Sequence, residues 1–91
     1  MAKKIWEDAT SYSRNKDRIQ TAWQIETNHL RIYITNSHIH NRGAFTMHCY
    51  QLGIDTLDIG IPGDDVKKAQ ERAIEICRSK AEAFVYDLKN L

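Results

Sequence analysis

Residues 21–35 read TAWQIETNHLRIYIT, and the fold follows from how this stretch pairs with itself. With Asn28 and His29 as a two-residue loop, Trp23 falls opposite Ile34 and Ile25 opposite Ile32, so the large apolar side chains share one face. The other face is polar: Glu26 falls opposite Arg31 as a charge pair, Gln24 opposite Tyr33, and Ala22 opposite Thr35. Asn28 favours a type I′ turn, although His29 is a poorer second residue than glycine, so the alternation carries the hairpin.

Working outward, residues 36–54 read NSHIHNRGAFTMHCYQLGI. Leu30, Ile32 and Ile34 are even-numbered, whereas Ile39, Phe45, Met47 and Cys49 are odd, so the inward parity switches. A bulge near Asn36-Ser37 makes that switch with one extra residue. Asn41-Arg42-Gly43 turns the chain, Gly43 supplying a positive φ. Ile39, Phe45, Met47 and Cys49 then point to the core, and His38, His40, Thr46, His48 and Tyr50 point out. Leu57, Ile59 and Ile61 alternate in a short fourth strand at an edge, closed by Pro62-Gly63.

Residues 64–88 form a helix capped by Gly63 or Asp64, with Asp64 and Asp65 where the helix dipole favours negative charge. Val66, Ala69, Ala73, Cys77, Ala81, Phe84 and Leu88 make one apolar stripe, widened by Ile74, Ile76 and Val85. Such a helix is about 37 Å long, against about 23 Å for a seven-residue strand. Phe84, Val85, Tyr86 and Leu88 should therefore overhang the sheet, which suggests a homodimer interface. Upstream, residues 1–20 read as an irregular lead-in, with a turn in SRNKD and Trp6 packing on the domain. The expected fold is α+β: one domain over residues 1–91, with an antiparallel three- to four-stranded sheet over 21–61 and one long C-terminal helix packed on one face.

Ninety-one residues at 42% hydrophobic composition support one core. No apolar run is long enough for a membrane span, and the first residues lack the hydrophobic centre of a signal peptide, so a cytoplasmic setting without a membrane partner is expected. Cys49 and Cys77 fit buried free thiols there. A net charge of +1 argues against a nonspecific nucleic-acid coater. Residues 1–51 nevertheless carry seven Lys/Arg against four acids, and all four histidines, while residues 52–91 carry six against eight.

The outward residues Arg31, Tyr33, His38, His40, Arg42, His48 and Tyr50 mix cationic donors with flat rings, the combination that holds phosphates and stacks bases. His38, His40 and His48 also place three imidazoles on one face, but no carboxylate lies near them in sequence and Cys49 faces away, so no metal and no cofactor is assigned. Enzyme motifs are missing: there is no glycine-rich phosphate loop, G-x-S-x-G, H-E-x-x-H or C-x-x-C. His48 and Cys49, adjacent on a strand, face opposite ways and cannot act together. Asp55, Asp58, Asp64 and Asp65 fit turn and cap duties. The expected function is a small non-catalytic binding module whose exposed sheet face holds an anionic partner, nucleic acid or a nucleotide. The alternative is a protein-binding adaptor or inhibitor, of the compact kind encoded by phages and mobile elements, which would grip its partner with Phe84, Val85, Tyr86 and Leu88 or with the sheet edge.

Overall fold

The pairing expected for residues 21–35 is the one found. The computed structural model describes residues 5–12, 19–38 and 42–91. Strands β2 (Ala22–Glu26) and β3 (Arg31–Thr35) meet antiparallel, with Trp23 opposite Ile34, Ile25 opposite Ile32 and Glu26 opposite Arg31. Their turn is not type I′. Among the described non-glycine residues only Thr56 has a positive φ, so neither Asn28 nor His29 adopts the required conformation. Instead the Thr27 amide donates to the Leu30 carbonyl (2.8 Å), and Thr27 Oγ1 accepts from the Leu30 amide (3.0 Å), a hydroxyl standing in for a backbone acceptor. The Glu26–Arg31 charge pair does not form either. Arg31 Nε reaches diagonally to Gln24 Oε1 at 2.7 Å.

The sheet has five strands in the order β1-β2-β3-β4-β5, one more than the upper expectation. The addition is β1 (Glu7–Asp8), which pairs with β2 inside the segment expected to be irregular. Its end is tied by Thr10, whose Oγ1 accepts from the Thr21 amide (2.9 Å) and the Ala22 amide (3.1 Å). Tyr12 and Thr10 donate to the Asp8 carboxylate, and these bonds hold its pKa below the usual value. Trp6 packs against the core as expected. The turn expected in SRNKD lies outside the described residues.

The parity change is real, but no bulge in a continuing strand makes it. β3 stops at Thr35, whose hydroxyl donates to the Thr21 carbonyl (2.8 Å) and accepts from the Ser37 amide (3.2 Å), so that after Asn36, which still bonds Thr21 and Gly43 through its main chain, the chain turns off. β4 (Ala44–Cys49) then returns with His48 opposite Tyr33 and Met47 opposite Ile34. Phe45, Met47 and Cys49 are accordingly buried. The orientations expected for Ile39 and His40, and the turn at Asn41, lie outside the described residues.

A 3-10 turn, Tyr50–Leu52, leads into β5 (Ile54–Pro62), an edge strand that begins before the expected Leu57. Its register against β4 shifts twice: β5 advances from Ile54 to Leu57 while β4 covers Cys49 to Met47, and from Asp58 to Pro62 while β4 covers Thr46 to Ala44. Ile59 and Ile61 are buried, but Leu57, expected inward, is 40% exposed at the rim, where no further strand flanks it.

Helix α1 (Val66–Lys89) lies across the inner face. The start of α1 is set by a close approach. Gly63 donates to the Gly43 carbonyl (2.8 Å), and a Cβ on Gly63 would stand 2.9 Å from that oxygen. Asn36 Nδ2 donates to the Gly63 carbonyl (2.7 Å), pinning β3, β4 and the helix start together. A turn closed by the Asp65 amide on the Pro62 carbonyl (3.1 Å) moves the cap one residue past the expected Asp64, so Asp65 Oδ1 accepts from the Lys68 amide (3.2 Å).

Ala69, Ala73 and Cys77 meet Ile32, Ile34, Phe45, Met47 and Cys49 of the sheet, together with Leu52, Ile54, Ile59 and Ile61. The two thiols are free and buried, and burial with Cys49 alongside pushes the Cys77 pKa up to about 12, so Cys77 stays protonated at neutral pH. The expected overhang is present: Phe84, Val85, Tyr86 and Leu88 are all exposed. Among the described residues, no helix is long and apolar enough to cross a membrane.

Candidate functional site

The face opposite α1 takes its side chains from the odd residues of β3 and the even residues of β4. It is only partly open. Thr35 and Thr46, opposite one another, are 5% and 2% exposed, and Ala22 beside them is 2% exposed. The expectation of an exposed polar face thus holds at one end, where β3 begins and β4 finishes. At the covered end Thr46 Oγ1 is buried without a hydrogen-bond partner.

At the open end Arg31, Tyr33, His48, Tyr50 and Gln51 line a cleft of about 310 Å³. Pairing of Tyr33 with His48 sets their rings edge to face at 5.4 Å, and Tyr50, leaving the strand into the 3-10 turn, stands 6.0 Å from the His48 ring. The Arg31 guanidinium carbon lies 5.7 Å from the Tyr33 centroid, within cation–π range. Gln24 holds its Nε, which leaves the other guanidinium nitrogens toward the cleft end of the side chain without a described ion pair.

His48 is the most constrained member, its side chain 13% exposed. Nδ1 accepts from the Thr56 amide at 3.2 Å, while Asp55 Oδ1 lies 3.5 Å from the same nitrogen. One nitrogen cannot accept from the amide and donate to the carboxylate at once. The amide contact is shorter and its N–H points at Nδ1, so Nδ1 is the acceptor and the ring hydrogen sits on Nε2. Thr56 makes this contact from φ +54°, a conformation that costs a non-glycine residue about 1–2 kcal/mol. The strained residue is thus the one that orients the histidine.

Four of the seven residues expected on this face therefore converge: Arg31, Tyr33, His48 and Tyr50. His38 stands beside the group, 6.2 Å from the His48 ring, but does not line the cleft. Arg42 is exposed in the turn before β4, away from it, and His40 lies outside the described residues. Among the described residues no three His, Cys, Asp or Glu side chains are placed to share a metal ion. Two participants were not foreseen. Gln51 accepts through Oε1 from the Arg31 amide (3.2 Å), tying the 3-10 turn to β3. The Thr56 amide acts through a backbone conformation that its residue type disfavours.

Asp55, 73% exposed at the rim, repels an anion from the His48 side, so positive potential is concentrated at Arg31. The cleft thus has a cationic end, two tyrosine rings and an imidazole donor. Comparison with protein-family models, with curated proteins and with solved structures found no significant match to this chain.

Proposed function

We propose that this protein is a binding module that holds one nucleotide unit, free or within a single strand, in the cleft between β3, β4 and the 3-10 turn. The observation that carries this reading is the convergence of Arg31, Tyr33, His48, Tyr50 and Gln51 on a single cleft. A cleft volume of about 310 Å³ suits one base with its sugar and phosphate rather than a duplex groove. Tyr33 and Tyr50 offer faces for a base, Arg31 pairs with phosphate, and His48 Nε2 and the Gln51 amide supply polar contacts to base or sugar. The reading is one of stoichiometric binding, because the thiol next to His48 in sequence, Cys49, is 0% exposed on the opposite face.

Calorimetric titration with a nucleoside monophosphate tests it. Arg31→Ala should weaken binding about tenfold, the worth of one charge-assisted hydrogen bond, and Tyr50→Ala about fivefold or more through lost stacking. Arg42→Ala, outside the cleft, should leave affinity unchanged. Affinity should also fall as salt is raised, because salt screens the attraction between Arg31 and the phosphate. Full affinity in Arg31→Ala together with a flat salt response would sink the reading.

A separate observation supports the alternative of a protein contact. Residues 82–91 are all exposed and carry Phe84, Val85, Tyr86 and Leu88, an apolar load unusual for a solvated helix end. This surface belongs to α1, on the other side of the sheet from the cleft, so one molecule can carry both.

A further inference from the structure

The inward stripe of α1 does not stop where the sheet does. Ile74, Cys77, Ala81, Phe84 and Leu88 follow one another at alternating spacings of three and four residues, the mean period of about 3.5 that marks a helix–helix seam. The sheet covers only the first part of it. Cys77 is 4% exposed, whereas Phe84 is 43% and Leu88 69% exposed. Along one flank of the seam, between α1 and the β5 edge, runs a groove of about 590 Å³ whose walls include Leu57, Arg72, Ile76, Lys80 and Ala83.

Charge on that flank indicates what covers it. Lys80 and Asp87 stand seven residues apart, two helical turns, on the groove side of the seam. Neither makes an ion pair with another described residue, and Lys80 Nζ rests 5.9 Å from the Phe84 ring. In an antiparallel pair of identical helices whose two-fold passes between residues 83 and 84, beside Phe84, Lys80 meets Asp87 of the second copy and the reverse pair forms by symmetry. Such a contact is self-complementary and closes at two copies. We infer that the distal half of α1 is the interface of a two-fold homodimer, in which two α1 tails cross antiparallel with Phe84 and Leu88 in the seam and Lys80 facing Asp87 across it. Tyr86, about 200° around the helix from Phe84, lies on the opposite side and takes no part.

Sedimentation equilibrium of the full chain tests this, with circular dichroism confirming that each variant is folded. The wild type should be predominantly dimeric at about 0.5 mM chain, as expected for a dissociation constant of about 100 µM or tighter. Phe84→Glu and Leu88→Glu change exposed residues and should give folded monomers, while Tyr86→Ser should dimerise like the wild type. Lys80→Glu and Asp87→Lys should each weaken the dimer about tenfold by setting like charges opposite one another, and the double exchange should recover most of that loss. A monomeric wild type would overturn the inference and leave the surface to a different protein. It is equally overturned by a dimer indifferent to Phe84→Glu, or by a double exchange no tighter than the single variants.

Discussion

Two of the sheet's antiparallel pairs, β2–β3 and β4–β5, obey opposite rules. In β2–β3 every residue meets its partner in unbroken register and the apolar residues share one face. In β4–β5 the ladder slips twice, and a threonine is held at a φ suited to glycine. The regular hairpin builds a wall of the core. The irregular one aims the Thr56 amide at His48 and so prepares the cleft. Regularity is what alternation of side chains specifies, and departures from it are where a backbone group can be turned to another use.

Substitutions that set one hairpin against the other sharpen this contrast. The largest effect belongs to the regular hairpin: Ile34→Ala, at a residue 0% exposed, should cost about 3 kcal/mol in urea unfolding. Leu57→Ala, on a side chain already 40% exposed, should cost about 1 kcal/mol or less. Equal costs would mean that Leu57, the one large apolar residue of β5 left at the rim, is as fully covered as Ile34. A middle-sized effect separates two threonines paired across β3 and β4. Thr35→Val loses a hydroxyl bonded to the Thr21 carbonyl and should destabilise by about 1 kcal/mol, whereas Thr46→Val removes a buried hydroxyl without a partner and should stabilise by a similar amount. Thermal melts of the two variants should therefore move in opposite directions, and shifts of the same sign would contradict the hydrogen-bond assignment.

Glycine substitutions give the smallest effect and the clearest sign. Gln24→Gly, in the regular hairpin, should destabilise by about 0.5–1 kcal/mol through backbone entropy and the lost Arg31 partner. Thr56→Gly should stabilise by about 0.5 kcal/mol, because relief of the left-handed conformation slightly exceeds the same entropy loss. It also keeps the amide, so the ¹⁵N shifts of His48 should still report hydrogen on Nε2. Loss of that tautomer in Thr56→Gly would show that the Thr56 side chain, and not its N–H, positions the ring.

How far this was legible follows the same division. The β2–β3 register, the inward set Phe45, Met47 and Cys49, and the overhang of α1 all follow from the spacing of large apolar residues and were readable directly. Local competition between side-chain and backbone hydrogen bonds was not. Thr35 ends its strand, Thr27 replaces the type I′ turn, and Asp65 takes the cap from Asp64, each through a contact that residue order alone leaves undetermined. Alternation alone likewise found four cleft residues, since Arg31, Tyr33 and His48 share one sheet face and Tyr50 follows His48 by two residues. Gln51 and Thr56 escaped because one acts from a 3-10 turn and the other through a φ that its residue type disfavours.

The strand order also bears on how the chain assembles. Each strand pairs with its neighbour in sequence, so no crossover connection has to be threaded. The hydrogen bond from Asn36 to the Gly63 carbonyl is different: it spans 27 residues and encloses the whole β4–β5 hairpin. Together with the docking of α1 on the sheet, it ties the end of β3 to the start of the helix. Cooperativity between sheet and helix accordingly rests on a latch at the seam of the two, fastened by one side-chain amide and two glycines that leave it no slack.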